Sequence, residues 1–368
     1  MSKIAFKAAK IFTGTDVLTN HAVVVSQGLI EDVIPAVAID SGVEIKDLGE
    51  NNITTPFIDL QLYGAKGKLL AVDPSPSTYQ AIYEHCRAFG TAYSMPTLAT
   101  NAYEVFYAAI DGLKQYWKEG GKGILGLHIE GPWIHPSKKG AHVEKFIHSP
   151  TIEEVKELLA YGNGVIKIIT LAPEQCSKAI IDLIRSQNIL VFAGHSNATF
   201  EQATEAFNWG IDGVTHLYNA MSPLQHRAPG LVGATFDHST VKASIIPDGH
   251  HVDFAAVRIA KQIMKERLFV ITDAVTDTTE GYYQHKLNGD KYEANGVLSG
   301  SALTMNNAVK NLVQQVGIAV DEALRMCNVY PAKLLNKTDI TGFIKKGYPA
   351  EFIVFNDQFE ILDLVEGV

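Results

Sequence analysis

The sequence predicts a (β/α)8 TIM-like barrel with a small β-sandwich domain formed by both chain termini. Strand-like and helix-like segments alternate through the middle of the chain, both ends are rich in strand signals, and 46% of the 368 residues are hydrophobic. About eight βα units over about 290 residues match the size of such a barrel. A doubly wound sheet is the alternative, but no GxGxxG or P-loop pattern stands at a strand-to-helix turn.

The two chain ends share short strand-like runs separated by polar or glycine-containing turns. These runs are residues 9–13, 22–26 and 29–34 at the start and 351–355 and 360–365 at the end. Because domain termini often lie close together, both ends can build one domain. We therefore expect a small β domain at 1–52 plus 346–368.

The middle of the chain, residues 53–345, is the predicted barrel. Its strand candidates are short apolar or β-branched runs that precede helix-like segments. They are residues 57–62, 91–95, 124–129, 165–171, 190–193, 213–215, 241–246 and 268–271.

Composition restricts the partners. A net charge of -9 argues against nucleic acid, which needs a basic surface. It leaves room for a small phosphorylated ligand, which needs only a local pair of cations.

The three cysteines predict no disulfide framework and suit a reducing cytosol. The chain has no apolar targeting segment and no run of ~20 apolar residues. We expect a cytoplasmic protein without a membrane partner.

Residues able to bind a metal stand at the ends of separate strand-like runs. Glu130 ends one run, just before Gly131-Pro132, and His195 and His216 end two later runs. The carboxyl ends of barrel strands share one face, so these side chains can meet. Three such ligands with an open position match a catalytic divalent metal. The alternative is that Glu130 pairs with a basic residue and the histidines bond backbone carbonyls.

Asp273 closes a fourth run and could hold a water and move its proton. His128 points to the same face as Glu130 and either supports the metal site or fills the barrel interior. His142 stands on the loop after this strand, where it either reaches a substrate carbonyl or is a solvated surface residue.

Further polar residues could bind a substrate. Asn219 follows His216 and could bond sugar hydroxyls. Arg227, His250 and His251 are the candidates for holding an anion, since a guanidinium and an imidazole can clamp a phosphate. The alternative is that these three are surface residues on loops.

Together these residues resemble the amidohydrolase superfamily, and most closely its family that deacetylates N-acetylglucosamine 6-phosphate. The resemblance spans nearly the whole chain. Its segments are PFID at 56–59, GLHIEGPW at 126–133, KGAH at 139–142, GHSNA at 194–198, THLYNAM at 215–221, PDGHHV at 247–252, TDA at 272–274, LSGSALTM at 298–305 and GFIKKG at 342–347.

The resemblance implies hydrolysis of the acetamide of N-acetylglucosamine 6-phosphate to glucosamine 6-phosphate and acetate. It implies that Glu130, His195 and His216 bind one divalent metal ion per subunit. Zinc is the favoured ion, and iron, cobalt and manganese are the alternatives. Asp273 becomes the general base that activates water and returns the proton to the leaving amine. His142 becomes the residue that polarises the acetyl carbonyl.

The resemblance also implies sugar and phosphate contacts, from Ala141, Asn219, Ala220, Arg227, His251 and Leu303. In this family part of the phosphate site can come from a neighbouring subunit, so a homodimer is implied.

One position departs from the superfamily. Many amidohydrolases carry His-x-His after the first strand, where this chain has Gln61-Leu62-Tyr63. An amide and a phenol are poor ligands for a second ion, so we predict a mononuclear site. The segment 66–68 is also unlike the expected glycine-rich loop, which bears on sugar selection.

Two other functions compete with this interpretation. The first is another mononuclear amidohydrolase, acting on a different N-acyl sugar or a cyclic amide. A binuclear enzyme is disfavoured because Lys167 lies too early in its strand to bridge two ions. The second is a metal-free scaffold, which would have no need of Glu130, His195, His216 and Asp273 together.

Overall fold

The computed structural model describes residues 3–294 and 296–367. Tertiary contacts divide the chain into two compact units. One comprises Met1–Asp59, Cys86–Tyr93 and Thr304–Val368, and the other comprises Leu60–His85 and Ser94–Leu303. The domain limits derived from sequence stay a prediction.

The strands fall into three groups along the chain. The first group is β1 (Ile4–Phe12), β2 (Val17–Ser26), β3 (Leu29–Pro35), β4 (Glu44–Asp47) and β5 (Asn52–Thr54). The second is β6 (Phe57–Leu62), β7 (Gly64–Ala65), β8 (Lys68–Leu69), β9 (Thr91–Ala99), β10 (Leu127–Glu130), β11 (Ile166–Leu171), β12 (Leu190–Ala193), β13 (Gly213–Val214), β14 (Lys242–Ile245) and β15 (Leu268–Val270). The third is β16 (Lys286–Asn288), β17 (Lys291–Ala294), β18 (Val297–Ser301), β19 (Phe352–Phe355) and β20 (Ile361–Val365).

Most of the α-helices follow a strand, and the last two follow another helix. They are α1 (Pro76–Ala88), α2 (Tyr103–Lys118), α3 (Ile152–Tyr161), α4 (Lys178–Arg185), α5 (Phe200–Asn208), α6 (Gly230–Asp237), α7 (Phe254–Met264), α8 (Met305–Asn311), α9 (Val320–Cys327) and α10 (Val329–Leu334). Among the described residues, no helix combines the length and the apolar character needed to cross a bilayer.

Both chain ends contribute to one seven-stranded sheet, in the order β20-β19-β5-β1-β2-β3 with β4 also paired to β1. Successive β1 residues face opposite sides, as the period of a strand requires. Phe6 belongs to a large buried cluster with Phe352, and Ala5 belongs to a second cluster with Val24. The Phe6 and Phe352 rings meet edge to face at 4.9 Å. The predicted small β domain from both termini is confirmed.

The predicted eight-stranded barrel is also confirmed. Its sheet runs in the order β6-β9-β10-β11-β12-β13-β14-β15. Hydrogen bonds close the ring: the Asp273 N–H donates to the Gln61 carbonyl at 2.9 Å, and the Tyr63 N–H donates to the Ala274 carbonyl at 2.8 Å. Every residue of β6 and β10 is buried, which suits strands covered on both faces.

The strands differ from the sequence-based expectation in several places: β1 and β2 begin earlier than predicted, and β4, β7 and β8 were not predicted. Pro96 lies inside β9, although proline usually marks a strand end. The three-stranded antiparallel sheet β16-β17-β18 was not predicted. All of β16 is exposed, so this hairpin lacks the apolar alternation that indicates a strand.

Candidate active site and metal centre

Three side chains converge at the carboxyl ends of β10, β12 and β13. Oε1 of Glu130 lies 3.2 Å from Nε2 of His195 and 3.0 Å from Nε2 of His216. The two Nε2 atoms are 3.1 Å apart. All three residues are buried, and they form a group that could hold a metal ion. The structure therefore brings together the three predicted ligands.

The hydrogen bond of the His195 imidazole fits a bound cation. Nδ1 of His195 lies 2.8 Å from the Lys138 carbonyl and must donate to it, so the lone pair of the neutral ring is on Nε2. Nδ1 of His216 is buried and has no hydrogen-bond partner among the described residues. Two imidazole nitrogens and one carboxylate oxygen facing a common point suit a divalent metal of the zinc or iron type.

Charge is balanced locally around Glu130. Burial acts to raise the pKa of Glu130, but His195, His142 and His216 outweigh burial and hold the pKa well below its ordinary value. Burial lowers the pKa of His216. At neutral pH the Glu130 carboxylate is therefore ionised and the His216 imidazole is uncharged, which are the states in which these groups bind a metal.

Asp273, the predicted base, lies beside this group and lines the same cavity. Its Oδ1 accepts a hydrogen bond from Nε2 of Gln61 at 2.8 Å and lies 3.3 Å from the Tyr63 hydroxyl. The Tyr63 hydroxyl also donates to Oε2 of Glu130. Burial, with the charges of Asp273 and Glu130, raises the pKa of Tyr63 well above its ordinary value, so the phenol stays protonated. The two residues that replace His-x-His thus bond both carboxylates.

His142 is placed to donate into the cavity. Its Nδ1 accepts from the Thr100 N–H at 3.2 Å and lies 2.8 Å from Oγ1 of the same residue. Burial lowers the pKa of His142 to about 4, so the ring is neutral at pH 7 and its proton is on Nε2. That nitrogen lies 3.4 Å from Oε2 of Glu130. Gly131 permits this packing, because a Cβ there would lie 2.1 Å from Oγ1 of Thr100.

One cavity of ≈ 210 Å³ opens above these groups. Of the predicted residues, it is lined by His142, His195, His216, Asp273, Ala141, Asn219, Ala220 and His251. Glu130 is completely buried and is not among the residues that line the cavity.

Two predicted contacts lie elsewhere. Arg227 is exposed on the segment before α6, outside the cavity lining, and Leu303 is buried with its N–H bonded to Oγ of Ser301. His250 also points away, because its Nε2 pairs with Asp290 at 2.8 Å. Their roles in phosphate or sugar binding stay predictions.

His128 bonds two other barrel strands. Its Nδ1 lies 3.1 Å from the Leu60 carbonyl and its Nε2 lies 2.7 Å from Oγ1 of Thr170. Both ring nitrogens are used inside the barrel, which favours the interior role over support of the metal site.

Sequence reasoning missed several groups at the site. Asp248 accepts the backbone N–H groups of His250 and His251, and its Oδ2 lies 2.6 Å from Nδ1 of His251. The signal was present as Asp-x-x-His after a strand. Tyr283 and His285 line the cavity from the segment before β16, and no local pattern marks them.

These features are those of a barrel hydrolase whose site could hold a metal ion. The amidohydrolase family matches this chain over residues 57–366, and the NagA composite domain matches residues 5–53. The chain belongs to the amidohydrolase family.

Among its relatives, the N-acetylglucosamine-6-phosphate deacetylase of Haemophilus influenzae is 35% identical, and the alignment covers 99% of this chain and 98% of the relative. The N-acetylgalactosamine-6-phosphate deacetylase of Escherichia coli O157:H7 is 30% identical, with 96% of each chain covered. The crystal structure of N-acetylglucosamine-6-phosphate deacetylase from Pasteurella multocida has a TM-score of 0.93 at 36% identity, covering 99% of this chain and 98% of the other.

Proposed function

We propose that this protein is a metal-dependent, cytoplasmic hydrolase that converts N-acetylglucosamine 6-phosphate to glucosamine 6-phosphate and acetate. The convergence of Glu130, His195 and His216 beside Asp273, at a cavity that His195, His216 and Asp273 line, is the observation that carries this proposal. Such a site suits attack of water on an amide carbonyl, which is a poor electrophile without assistance.

Glu130, His195 and His216 would hold the metal, for which zinc is the first candidate. When bound, this cation supplies Lewis-acid chemistry, polarising an oxygen and lowering the pKa of water. The replacement of His-x-His by Gln61 and Tyr63 supports one ion per subunit, because neither side chain is a good ligand for a second.

The proton transfers fall to the chain's own residues. Asp273 accepts a proton as water attacks the carbonyl carbon, and it delivers that proton to the nitrogen when the C–N bond breaks. His142 donates the hydrogen on Nε2 to the oxygen that gains negative charge, as a neutral donor already aimed into the cavity. The products are the free amine and acetate.

The sugar and its phosphate would be bound around this centre. Ala141, Asn219, Ala220 and His251 line the cavity, and we assign them to substrate contacts. We further propose a homodimer in which Arg227 of one subunit reaches the phosphate site of the other, because in its own chain Arg227 lies outside the cavity lining.

An acetate-release assay tests the function. The metal-loaded protein is expected to release acetate from N-acetylglucosamine 6-phosphate faster than from unphosphorylated N-acetylglucosamine or N-acetylgalactosamine 6-phosphate. Chelation should remove the activity, and added zinc should restore it. Asp273→Asn should lower kcat by about 10³-fold or more while each chain keeps one metal.

Two results would contradict the proposal. The first is no acetate from the 6-phosphate by protein that holds its metal. The second is full activity of Asp273→Asn, which would remove Asp273 as the base.

A further inference from the structure

The two oxygens of the Glu130 carboxylate have separate sets of partners. Oε1 faces Nε2 of His195 and of His216, and also lies 3.2 Å from Nε2 of Gln61. Oε2 accepts the hydroxyl of Tyr63 and lies 3.4 Å from Nε2 of His142. Oε1 is thus directed to the two histidines of the proposed metal site, and Oε2 is held by the Tyr63 hydroxyl.

The same hydroxyl reaches the second carboxylate of the site. It lies 3.3 Å from Oδ1 of Asp273, which also accepts from Nε2 of Gln61 at 2.8 Å. The Gln61 amide in turn lies 2.9 Å from the Tyr63 hydroxyl. Two anionic side chains that share a region repel each other unless donors or a cation lie between them. Here an amide and a phenol supply those donors.

The backbone fixes these donors relative to Asp273. Gln61 and Tyr63 are two residues apart at the end of β6, so their side chains point to the same face. The Gln61 carbonyl accepts from the Asp273 N–H, and the Tyr63 N–H donates to the Ala274 carbonyl. The pair of hydrogen bonds that closes the barrel therefore also sets the phenol against both carboxylates.

We propose that Tyr63 is a positioning residue for the metal centre and for the base. By holding Oε2, its hydroxyl leaves Glu130 only Oε1 to offer to a cation, which preserves an open position for water. By bordering Asp273, it keeps that carboxylate in one orientation. Its effect on the base rests on the proposed function, whereas its effect on Glu130 requires only that a metal binds.

Cobalt(II) as the bound ion tests the effect on Glu130 without any substrate. Cobalt(II) with few ligands absorbs visible light much more strongly than six-coordinate cobalt(II), so its spectrum reports the coordination number. We expect an intense visible band for the wild-type protein. Tyr63→Phe keeps the ring but removes the hydrogen bond that holds Oε2, leaving only Nε2 of His142 at 3.4 Å from this oxygen. Oε2 can then approach the ion, so the visible band of the variant should be severalfold weaker. A weak, six-coordinate spectrum of the wild-type protein would overturn the proposal even if the variant failed to fold.

Kinetics test the effect on catalysis. Removing a group that orients a metal ligand typically costs about 10–100-fold in metal affinity or activity. For Tyr63→Phe we expect kcat to fall by about this factor while KM changes less than about twofold. Tyr161→Phe is the matched control, because its hydroxyl bonds Asp111 on the exposed surface. It should match the wild-type protein in both assays.

A Tyr63→Phe protein with the wild-type cobalt spectrum and wild-type kcat would overturn the inference. The two proposals can fail separately. No acetate from the sugar phosphate together with a changed cobalt spectrum removes the proposed function and keeps the effect on Glu130. Acetate release by the wild-type protein, together with an unchanged cobalt spectrum and an unchanged kcat in Tyr63→Phe, keeps the proposed function and removes the inference about Tyr63.

Discussion

Three of the residues proposed for metal binding and catalysis have left-handed backbone conformations that residues other than glycine rarely adopt. The φ angles are 47° for His195, 36° for His216 and 55° for Asp273. Such conformations cost about 1–3 kcal/mol each and persist only where the surroundings fix them. Here the His216 N–H donates to Oγ of Ser244, and the Asp273 N–H donates to the Gln61 carbonyl. This backbone conformation directs each side chain from the end of its strand toward the shared cavity.

A buried imidazole in the cavity wall makes stability depend on pH. Nδ1 of His285 lies 2.9 Å from Oγ of Ser299, and burial lowers the pKa of His285 to about 4. Between that value and about 6.5 the unfolded chain binds more protons than the folded chain, so stability falls as pH falls. From pH 7 to 5, His285 should account for a loss of about 2 kcal/mol.

His285→Gln tests this effect by chemical unfolding at pH 7 and pH 5. The variant should lose less unfolding free energy over this range than the wild-type protein. His21→Gln on β2 is the control, and it leaves the buried imidazole in place. Equal losses in the wild-type protein and His285→Gln would show that His285 does not titrate as described.

At the level of elements, the position of a functional residue depends on the connection between its strand and the next helix. His195 follows β12 and is separated from α5 by a short connection. The N-cap of α5 is Thr199, whose side chain accepts the Gln202 N–H while the Gln202 side chain accepts the Thr199 N–H. This capping box fixes where α5 begins and limits how far the segment that carries His195 can move.

Removal of this cap should destabilise the fold measurably. Thr199→Ala loses the acceptor for the Gln202 N–H, which costs about 1 kcal/mol. Ser177→Ala is a matched control, because Ser177 occupies the N-cap of α4 without a side-chain capping bond. Denaturant unfolding should show a lower midpoint for Thr199→Ala and little change for Ser177→Ala. Equal effects would mean that the capping box contributes no specific stability.

For the whole molecule, the cavity has a marked deficit of permanent positive charge. Its described lining includes His142, His195, His216, His251 and His285 but no lysine or arginine. The chain as a whole carries a net charge of -9. A phosphate bound here needs a cation from beyond this lining, which is why we propose that Arg227 acts across a dimer.

Mixed dimers test the shared site. In a dimer of one Arg227→Ala chain and one Asp273→Asn chain, one site would keep both Asp273 and the partner's Arg227. When equal amounts of the two variants exchange chains at random, about half of the dimers are mixed. Only one of the two sites in a mixed dimer is intact, so about one quarter of wild-type activity should return. Recovery is expected only for the phosphorylated substrate at low concentration. Mixed samples no more active than the average of the two parents would place Arg227 outside the shared site.

The sequence by itself determined the barrel, the joining of both termini in one sheet, and the residues that converge at Glu130. These features depend on short-range signals: apolar runs that end in a polar residue, and the rule that parallel barrel strands end on one face. The predicted roles of His142 and Asp273 are compatible with the geometry and stay proposals.

Only the tertiary structure decided how Gln61 and Tyr63 act. In the sequence they are noticed only because they stand where many amidohydrolases have His-x-His. In the closed barrel they form hydrogen bonds with the carboxylates of Asp273 and Glu130. The structure likewise placed Arg227 outside its own cavity and brought His285 into it. These outcomes depend on contacts between residues far apart in the chain, such as Gln61 with Asp273, and no local pattern encodes the distance between two side chains until the barrel closes.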